Sequence, residues 1–183
     1  MNIFLYDRTF EGFLSVVFYA YDTKTEPDKI IGTEMYQDDI FAQKIQIVTN
    51  LTHAKRVWSG IERRANKRIA QKVYRVFLSE LPDIEILVYQ YLKLLFASNK
   101  FIDTNYNNST VLEFNNTYKK VSTEAHWAVM FIRFQKTTDG IYFAPFEPKY
   151  NVLPLTLIHF KDRFADQQWI IYDTLRNYGY HYD

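Results

Sequence analysis

The sequence predicts an α+β fold, in which a helical middle segment packs with a mainly antiparallel sheet of C-terminal hairpins plus an N-terminal strand. Three observations support this. Apolar residues recur at helical spacing through the middle of the chain. Beyond Val129, runs of β-branched and aromatic residues are separated by turn residues. With 183 residues, 48% of them hydrophobic, the chain can bury a substantial core in a single domain, 1–183.

The N-terminal elements are a strand and a helix. Ile3–Tyr6 is a short apolar run that fits a strand. Thr9 suits the N-cap of a helix that runs to about Tyr21, and Glu11 is favourable in its first turn. Gly12 within that helix costs about 1 kcal/mol relative to alanine, so we expect close packing at this position.

The middle of the chain contains three predicted helices. A polar linker, 22–34, precedes them, and the sequence allows short strands at 29–31 and 43–48. From Thr49, three apolar stripes at helical spacing follow, with Pro82 in the last connection. The stripes are Leu51, Ala54, Trp58, Ile61 and Ala65; Ile69, Val73, Val76 and Phe77; and Ile84, Leu87, Val88, Tyr91, Leu92 and Leu95.

The C-terminal part begins with a loop at Asn105–Ser109 and a long helix from Val111 to about Val129. The runs Val129–Gln135 and Ile141–Ala144 then predict strands. They are joined across Thr138-Asp139-Gly140, which is a strong hairpin signal.

The last elements are a helix and a second hairpin. Pro154 fits the first position of a helix that runs to about Phe164. Trp169–Tyr172 and Tyr178–Tyr182 predict the final strands, with a turn near Arg176-Asn177.

Composition excludes several classes of protein. The chain has no cysteine, which excludes disulfides, zinc–thiolate sites, iron–sulfur ligation and cysteine nucleophiles. Its five glycines form no phosphate-binding loop, and its four histidines show no metal-ligand spacing, so we expect no metal. The N-terminus does not resemble a signal peptide, and no apolar run approaches the roughly 20 residues of a membrane helix. We expect a cytoplasmic protein without membrane contact.

Positive charge is concentrated in residues 51–80. This segment contains eight Lys and Arg residues and two acidic residues, Glu62 and Glu80, so its local charge is +6 in a chain whose net charge is +1. Such a block is typical of a surface that binds a polyanion. It is equally typical of a solvated helical face whose long stems cover apolar surface. The candidate nucleic-acid-binding residues are Lys55, Arg56, Arg63, Arg64, Lys67, Arg68 and Lys72.

The last third of the chain holds a second polar group. Glu124 and His126 lie near the predicted end of the long helix, and Arg133 lies on the predicted next strand. His159, Arg163 and Asp166 share one helix face if that helix extends far enough. If the two segments meet, these six residues are candidates for acid–base catalysis and anion binding. The alternative is a hydrogen-bonded network that fixes helix against sheet.

Several motifs together resemble a bacterial family of DNA metabolism proteins of unknown function, encoded beside a radical-SAM protein of DNA modification or repair. Related domains are fused to uracil-DNA glycosylase-like domains. The resemblance spans nearly the whole chain. Its motifs are Tyr6-Asp7-x-Thr9-Phe10-Glu11-Gly12-Phe13-Leu14, Arg56-Val57-Trp58-x-Gly60, Glu124-Ala125-His126, Phe131-x-Arg133-Phe134, Leu153-Pro154-Leu155, His159-Phe160-x-x-Arg163-Phe164-Ala165-Asp166-Gln167-x-Trp169-x-Ile171-Tyr172-Asp173 and Tyr178-Gly179-Tyr180.

The resemblance implies an accessory protein of DNA repair or modification that binds DNA and works with a radical-SAM partner. Since the chain lacks cysteine, the iron–sulfur cluster and S-adenosylmethionine belong to that partner, and we expect no cofactor here. Two alternatives stay open from the residues. One is a hydrolase acting on a nucleobase or phosphoester through His126 and His159, and the other is a protein-interaction scaffold without DNA affinity.

Overall fold

A computed structural model describes residues 1–37, 42–98 and 102–183. The predicted α+β class is confirmed. The chain forms two compact units: unit 1 comprises 1–77 and 81–117, and unit 2 comprises 78–80 and 118–183. Each unit contains its own sheet, and the assignment of 1–183 to a single domain stays a prediction.

Unit 1 is built on a parallel three-stranded sheet. The strands are β1 (Asn2–Tyr6), β2 (Lys29–Gly32) and β3 (Gln43–Gln46), in the order β2-β1-β3. The middle strand β1 is buried along most of its length, as its apolar sequence predicts. The helix α1 (Phe10–Thr23) follows β1, and a 3-10 turn (Thr33–Met35) follows β2.

Thr9 caps α1 as predicted, since its hydroxyl accepts the Gly12 N–H at 2.9 Å. The close packing expected at Gly12 is also confirmed. A Cβ there would overlap the side chains of Asp7, Thr49 and Thr9. The glycine therefore leaves room for the Asp7 carboxylate beside the start of the helix.

Three more helices complete the predicted middle of the chain: α2 (Leu51–Arg64), α3 (Lys67–Phe77) and α4 (Ile84–Ala97). Asn50 caps α2 by accepting the N–H groups of Thr52 and His53 at 2.9 and 3.1 Å. Most residues of the three stripes are buried in the core. Trp58, Ala65 and Leu87 are half-buried, and Leu51 in the first turn of α2 is 70% exposed.

Unit 2 contains the end of α5 (Ser109–Phe131), which begins in unit 1, and the helix α6 (Leu153–Arg163). Its sheet has the order β4-β5-β6-β7, with ranges Gln135–Lys136, Tyr142–Phe146, Trp169–Asp173 and Tyr178–Tyr182. The two predicted hairpins, β4–β5 and β6–β7, are confirmed as antiparallel pairs. The strands β5 and β6 are parallel because α6 crosses between them, so this sheet is mixed.

Two predicted boundaries in unit 2 are wrong. Val129–Phe131 is the last turn of α5 rather than a strand, since a short apolar run fits a buried helix turn as well as a strand. Arg133 therefore lies in the connection to β4, where its Nη1 donates to the Met130 and Ile132 carbonyls at 2.7 and 3.0 Å. The helix α6 ends at Arg163, so Asp166 does not continue its face.

In the three described stretches of chain, no helix combines the length and apolar character needed to cross a bilayer.

Candidate functional site

The predicted nucleic-acid-binding residues of unit 1 include exposed cations and cations that are bound to other parts of the unit. We define the basic face as Lys55, Arg56, Arg63, Lys67 and Arg68, all exposed on α2 and α3. Arg56 lies 5.5 Å from the Phe18 ring centroid, and the Arg63 Nε donates to the Ser59 carbonyl at 3.3 Å. No carboxylate among the described residues forms an ion pair with the basic face.

Lys72, the seventh predicted cation, lies in the interior of unit 1. It is only 7% exposed, and its Nζ lies 2.7 Å from the Asp103 Oδ1 and donates a further bond to the Asn115 amide oxygen. The Tyr91 hydroxyl donates to the same Asp103 oxygen at 3.0 Å. Burial and then the Asp103 charge raise the pKa of Tyr91, so this hydroxyl keeps its proton. Lys72 therefore belongs to a buried network and lies outside the basic face.

Arg64 is exposed, but it is also held within unit 1. Its Nε donates to the Leu95 carbonyl of α4 at 3.2 Å. This bond directs the guanidinium along the protein surface towards α4. We therefore leave Arg64 outside the basic face.

Unit 2 contains a cavity of about 630 Å³ between α6, β6 and the segment that ends α5. Three predicted residues, Arg133, His159 and Arg163, line it and are exposed. No described hydrogen bond or ion pair holds His159 or Arg163, whose contacts are with the neighbouring Phe160 and Phe164 rings. The remaining lining is Val129, Met130, Ile132, Phe134, Tyr142, Phe160, Phe164, Gln167 and Trp169.

The floor of this cavity is an aromatic cluster. The rings of Phe160 and Phe164 have centroids 5.6 and 5.3 Å from that of Phe134, in edge-to-face contacts. Trp169 is fully buried, with its ring centroid 5.9 Å from Phe134, and its indole N–H donates to the Phe164 carbonyl at 3.3 Å. Such packing fixes the ring orientations before any ligand enters.

Glu124 lines a different cavity, of about 470 Å³, together with Arg133. Its carboxylate also accepts the Lys149 N–H, so it is already engaged. Neither cavity is lined by His126 or Asp166, and both residues are exposed. The structure thus groups Arg133, His159 and Arg163, and it gives the two histidines no common place in either cavity. The two-histidine hydrolase stays a prediction without this support.

A polar network that the sequence did not predict lies elsewhere in unit 2. Asp173 is fully buried, and its Oδ1 accepts the backbone N–H groups of Leu175 and Arg176 at 3.0 Å each. The Arg176 side chain donates to Asp173 at 3.1 Å, to Glu80 at 2.7 Å and to two carbonyls, those of Pro148 and Lys149, at 3.0 Å each.

Burial alone would lower the pKa of Arg176, but Glu80 and Asp173 outweigh it and raise that pKa. Asn151 donates to Glu80 at 2.9 Å and accepts from the Tyr178 hydroxyl. We call these residues (Glu80, Asn151, Asp173, Arg176 and Tyr178) the Arg176 network. Every charge in it has a partner, which indicates a structural role.

No group of three or more histidines, aspartates and glutamates within 1–37, 42–98 and 102–183 is arranged to hold a metal ion.

A family model described as a domain of unknown function, DUF4130, matches residues 82–183, which is more than half of the chain. No curated protein matches the sequence.

Proposed function

We propose that this chain, which belongs to the DUF4130 family of unknown function, binds nucleic acid as an accessory protein of DNA metabolism and acts with a radical-SAM partner. The observation that supports the proposal is the basic face, whose cations are exposed and lack carboxylate partners among the described residues. The basic face lies outside the residues that the family model matches, so this argument is independent of the family.

The physical basis is counterion release. Each phosphate neutralised by a lysine or arginine frees a condensed cation. The logarithm of the binding constant therefore falls linearly with the logarithm of the salt concentration, with a slope of about 0.9 per phosphate contact on duplex DNA. Lys67 and Arg68 open α3, close in sequence to Arg63 near the end of α2. Binding of this kind is independent of base sequence and is suited to an accessory role.

The test is the anisotropy of a fluorescent DNA duplex at several salt concentrations. The variant K55Q/R63Q/K67Q/R68Q should bind far more weakly at low salt, and its salt slope should fall by about 3 to 4. The matched control, K24Q/K29Q/K119Q/K120Q, removes the same charge from other exposed lysines. Equal losses in both variants would mean that only net charge matters, and the basic face would then be rejected.

A second surface supports the partner half of the proposal. Trp127 and Phe131 are 57% and 66% exposed, and Met130 beside them is 48% exposed, all on one side of the end of α5. Large exposed apolar residues that cluster in this way are typical of protein-binding surfaces. We expect the radical-SAM partner to cover them.

Co-purification with the co-expressed radical-SAM protein tests this surface. W127E/F131E should lose the complex, while L175E, at another exposed apolar residue of unit 2, should retain it. If the complex survives W127E/F131E, the partner binds elsewhere. If wild type forms no complex, the partner proposal is wrong.

A further inference from the structure

The cavity of unit 2 has an apolar, aromatic interior and a cationic rim. Trp169 and Phe160 are buried at its floor, and Phe134 and Phe164 are half-buried in its walls. At about 630 Å³, it falls within the range of small-ligand sites, which is roughly 300 to 1,000 Å³. A flat aromatic group that enters it can contact Phe134 and Phe164, which pack against the buried Phe160 ring.

The rim carries the opposite chemistry. Arg133, His159 and Arg163 are exposed there, and Gln167 supplies an amide that can both donate and accept. None of the described residues that line the cavity is an aspartate or a glutamate. A cationic rim without carboxylates favours an anionic ligand.

Donors remain available for such a ligand. Arg133 uses its Nη1 on the Met130 and Ile132 carbonyls, and a guanidinium carries five N–H donors in all. No hydrogen bond or ion pair within the described part of the chain engages Arg163, whose Cζ lies 5.7 Å from the Phe164 ring centroid. Neither guanidinium is engaged by a described carboxylate, so a phosphate at the rim can bind either one without breaking an ion pair.

We infer that the cavity binds a single unstacked nucleotide, with its base against the aromatic walls and its phosphate towards Arg163 and Arg133. This inference rests on the proposed nucleic-acid function and adds a substrate class to it. A base within a duplex cannot enter such a cavity without leaving the stack, so the site selects single strands, ends or flipped bases. Free nucleotides share the same chemistry and are the second source to be tested.

The experiment is isothermal titration of the full chain with a thymidine mononucleotide, a short single-stranded thymidine oligonucleotide and inorganic phosphate. R163Q should weaken binding of both nucleotide ligands about tenfold, as the loss of a charge-assisted hydrogen bond predicts. K161Q is the matched control, because Lys161 lies on the same helix but outside the lining and over the Tyr180 ring. It should leave both affinities unchanged.

A preference for the oligonucleotide over the mononucleotide would assign the site to nucleic acid, and the reverse order would assign it to free nucleotides. Either order supports the inference if R163Q weakens the binding. The inference is wrong if neither nucleotide binds, if R163Q binds as tightly as K161Q, or if phosphate alone binds as well as the nucleotides.

The two proposals can fail separately. The basic-face variant should keep its mononucleotide affinity, since none of its residues lines the cavity. If wild type binds duplex through the basic face but R163Q changes nothing, the cavity is no nucleotide site and the proposed function stands. If mononucleotide binding depends on Arg163 but duplex binding does not depend on the basic face, the cavity stands and the basic face is rejected.

Discussion

Arg176 and Arg163 belong to the same unit and differ in almost every contact. Arg176 donates to two carboxylates and two carbonyls, whereas no described hydrogen bond or ion pair holds Arg163. The first arginine joins segments distant in sequence, 78–80, 148–151 and 173–178. The second lies at the rim of an aromatic cavity. The polar residues of unit 2 are therefore of two kinds, those that stabilise the fold and those that can bind a ligand.

Unit 1 shows the same division within one helix. Lys67 and Lys72 are five residues apart on α3, but Lys67 is exposed and Lys72 is buried against Asp103 and Asn115. Charge in the sequence is thus a poor guide to function until burial is known. Substitution should separate the two kinds of residue, because loss of a buried, paired cation destabilises the fold and loss of an exposed one does not.

The largest loss is expected for R176M. The substitution leaves the fully buried Asp173 carboxylate with its backbone donors and removes the cation that pairs with Glu80, which keeps the Asn151 amide. Removing one partner of a buried ion pair costs about 3 to 5 kcal/mol in free energy of unfolding. Urea unfolding followed by circular dichroism measures it, with K161M as the control at a cation that has no described carboxylate partner. A loss below about 1 kcal/mol would show that the network is not a stabilising one.

A slightly smaller loss, about 3 kcal/mol, is expected for K72M, because Asp103 keeps some exposure and the Tyr91 donor. The matched control is K67M, which should change stability by no more than about 0.5 kcal/mol. Duplex affinity should respond in the opposite way, falling in K67M and staying unchanged in folded K72M. If K72M weakened DNA binding as strongly as K67M, the assignment of Lys72 to the interior would be wrong.

Much of this fold was predictable from sequence, because periodicity and turn chemistry act locally. The cap at Thr9, the packing at Gly12, the three middle helices and both C-terminal hairpins follow from residues close to one another in the chain. The end of α5 did not, because apolar residues at Val129–Phe131 satisfy either period. The parallel pairing of β5 with β6 depends on the path of α6.

The candidate site was predictable only in part. The sequence left open whether the segments that carry Arg133, His159 and Arg163 meet, and these three residues line one cavity. The pairing of Lys72 with Asp103 spans 31 residues and that of Arg176 with Glu80 spans 96, so no local pattern reports either contact. Without those partners, Lys72 looks like any other member of a basic block.

Asp7 is exposed, but its carboxylate accepts several hydrogen bonds. Slight burial works against its charge, but hydrogen bonds from the Thr49 and Thr9 hydroxyls and the Thr9 N–H lower its pKa. Because the pKa is lower in the folded state, Asp7 contributes stability above a pH of about 4, the unfolded value, and loses it as pH falls through the folded pKa.

We expect D7N to cost about 1 kcal/mol at neutral pH, in the range of a lost cap. The difference from wild type should shrink on acidification below about pH 4. Thermal unfolding of both proteins across that range measures it. Equal pH profiles for the two proteins would show that these hydrogen bonds do not stabilise the ionised carboxylate.

The smallest effect on stability is expected for R163Q. Its guanidinium has no described hydrogen-bond acceptor, and glutamine keeps much of the stem that covers Phe164. The free energy of unfolding should therefore change by no more than about 0.5 kcal/mol, while nucleotide affinity falls. Urea unfolding beside the titrations separates the two readouts. If R163Q lost as much stability as R176M, Arg163 would have a structural role. Its exposure at the cavity rim would then not support ligand binding.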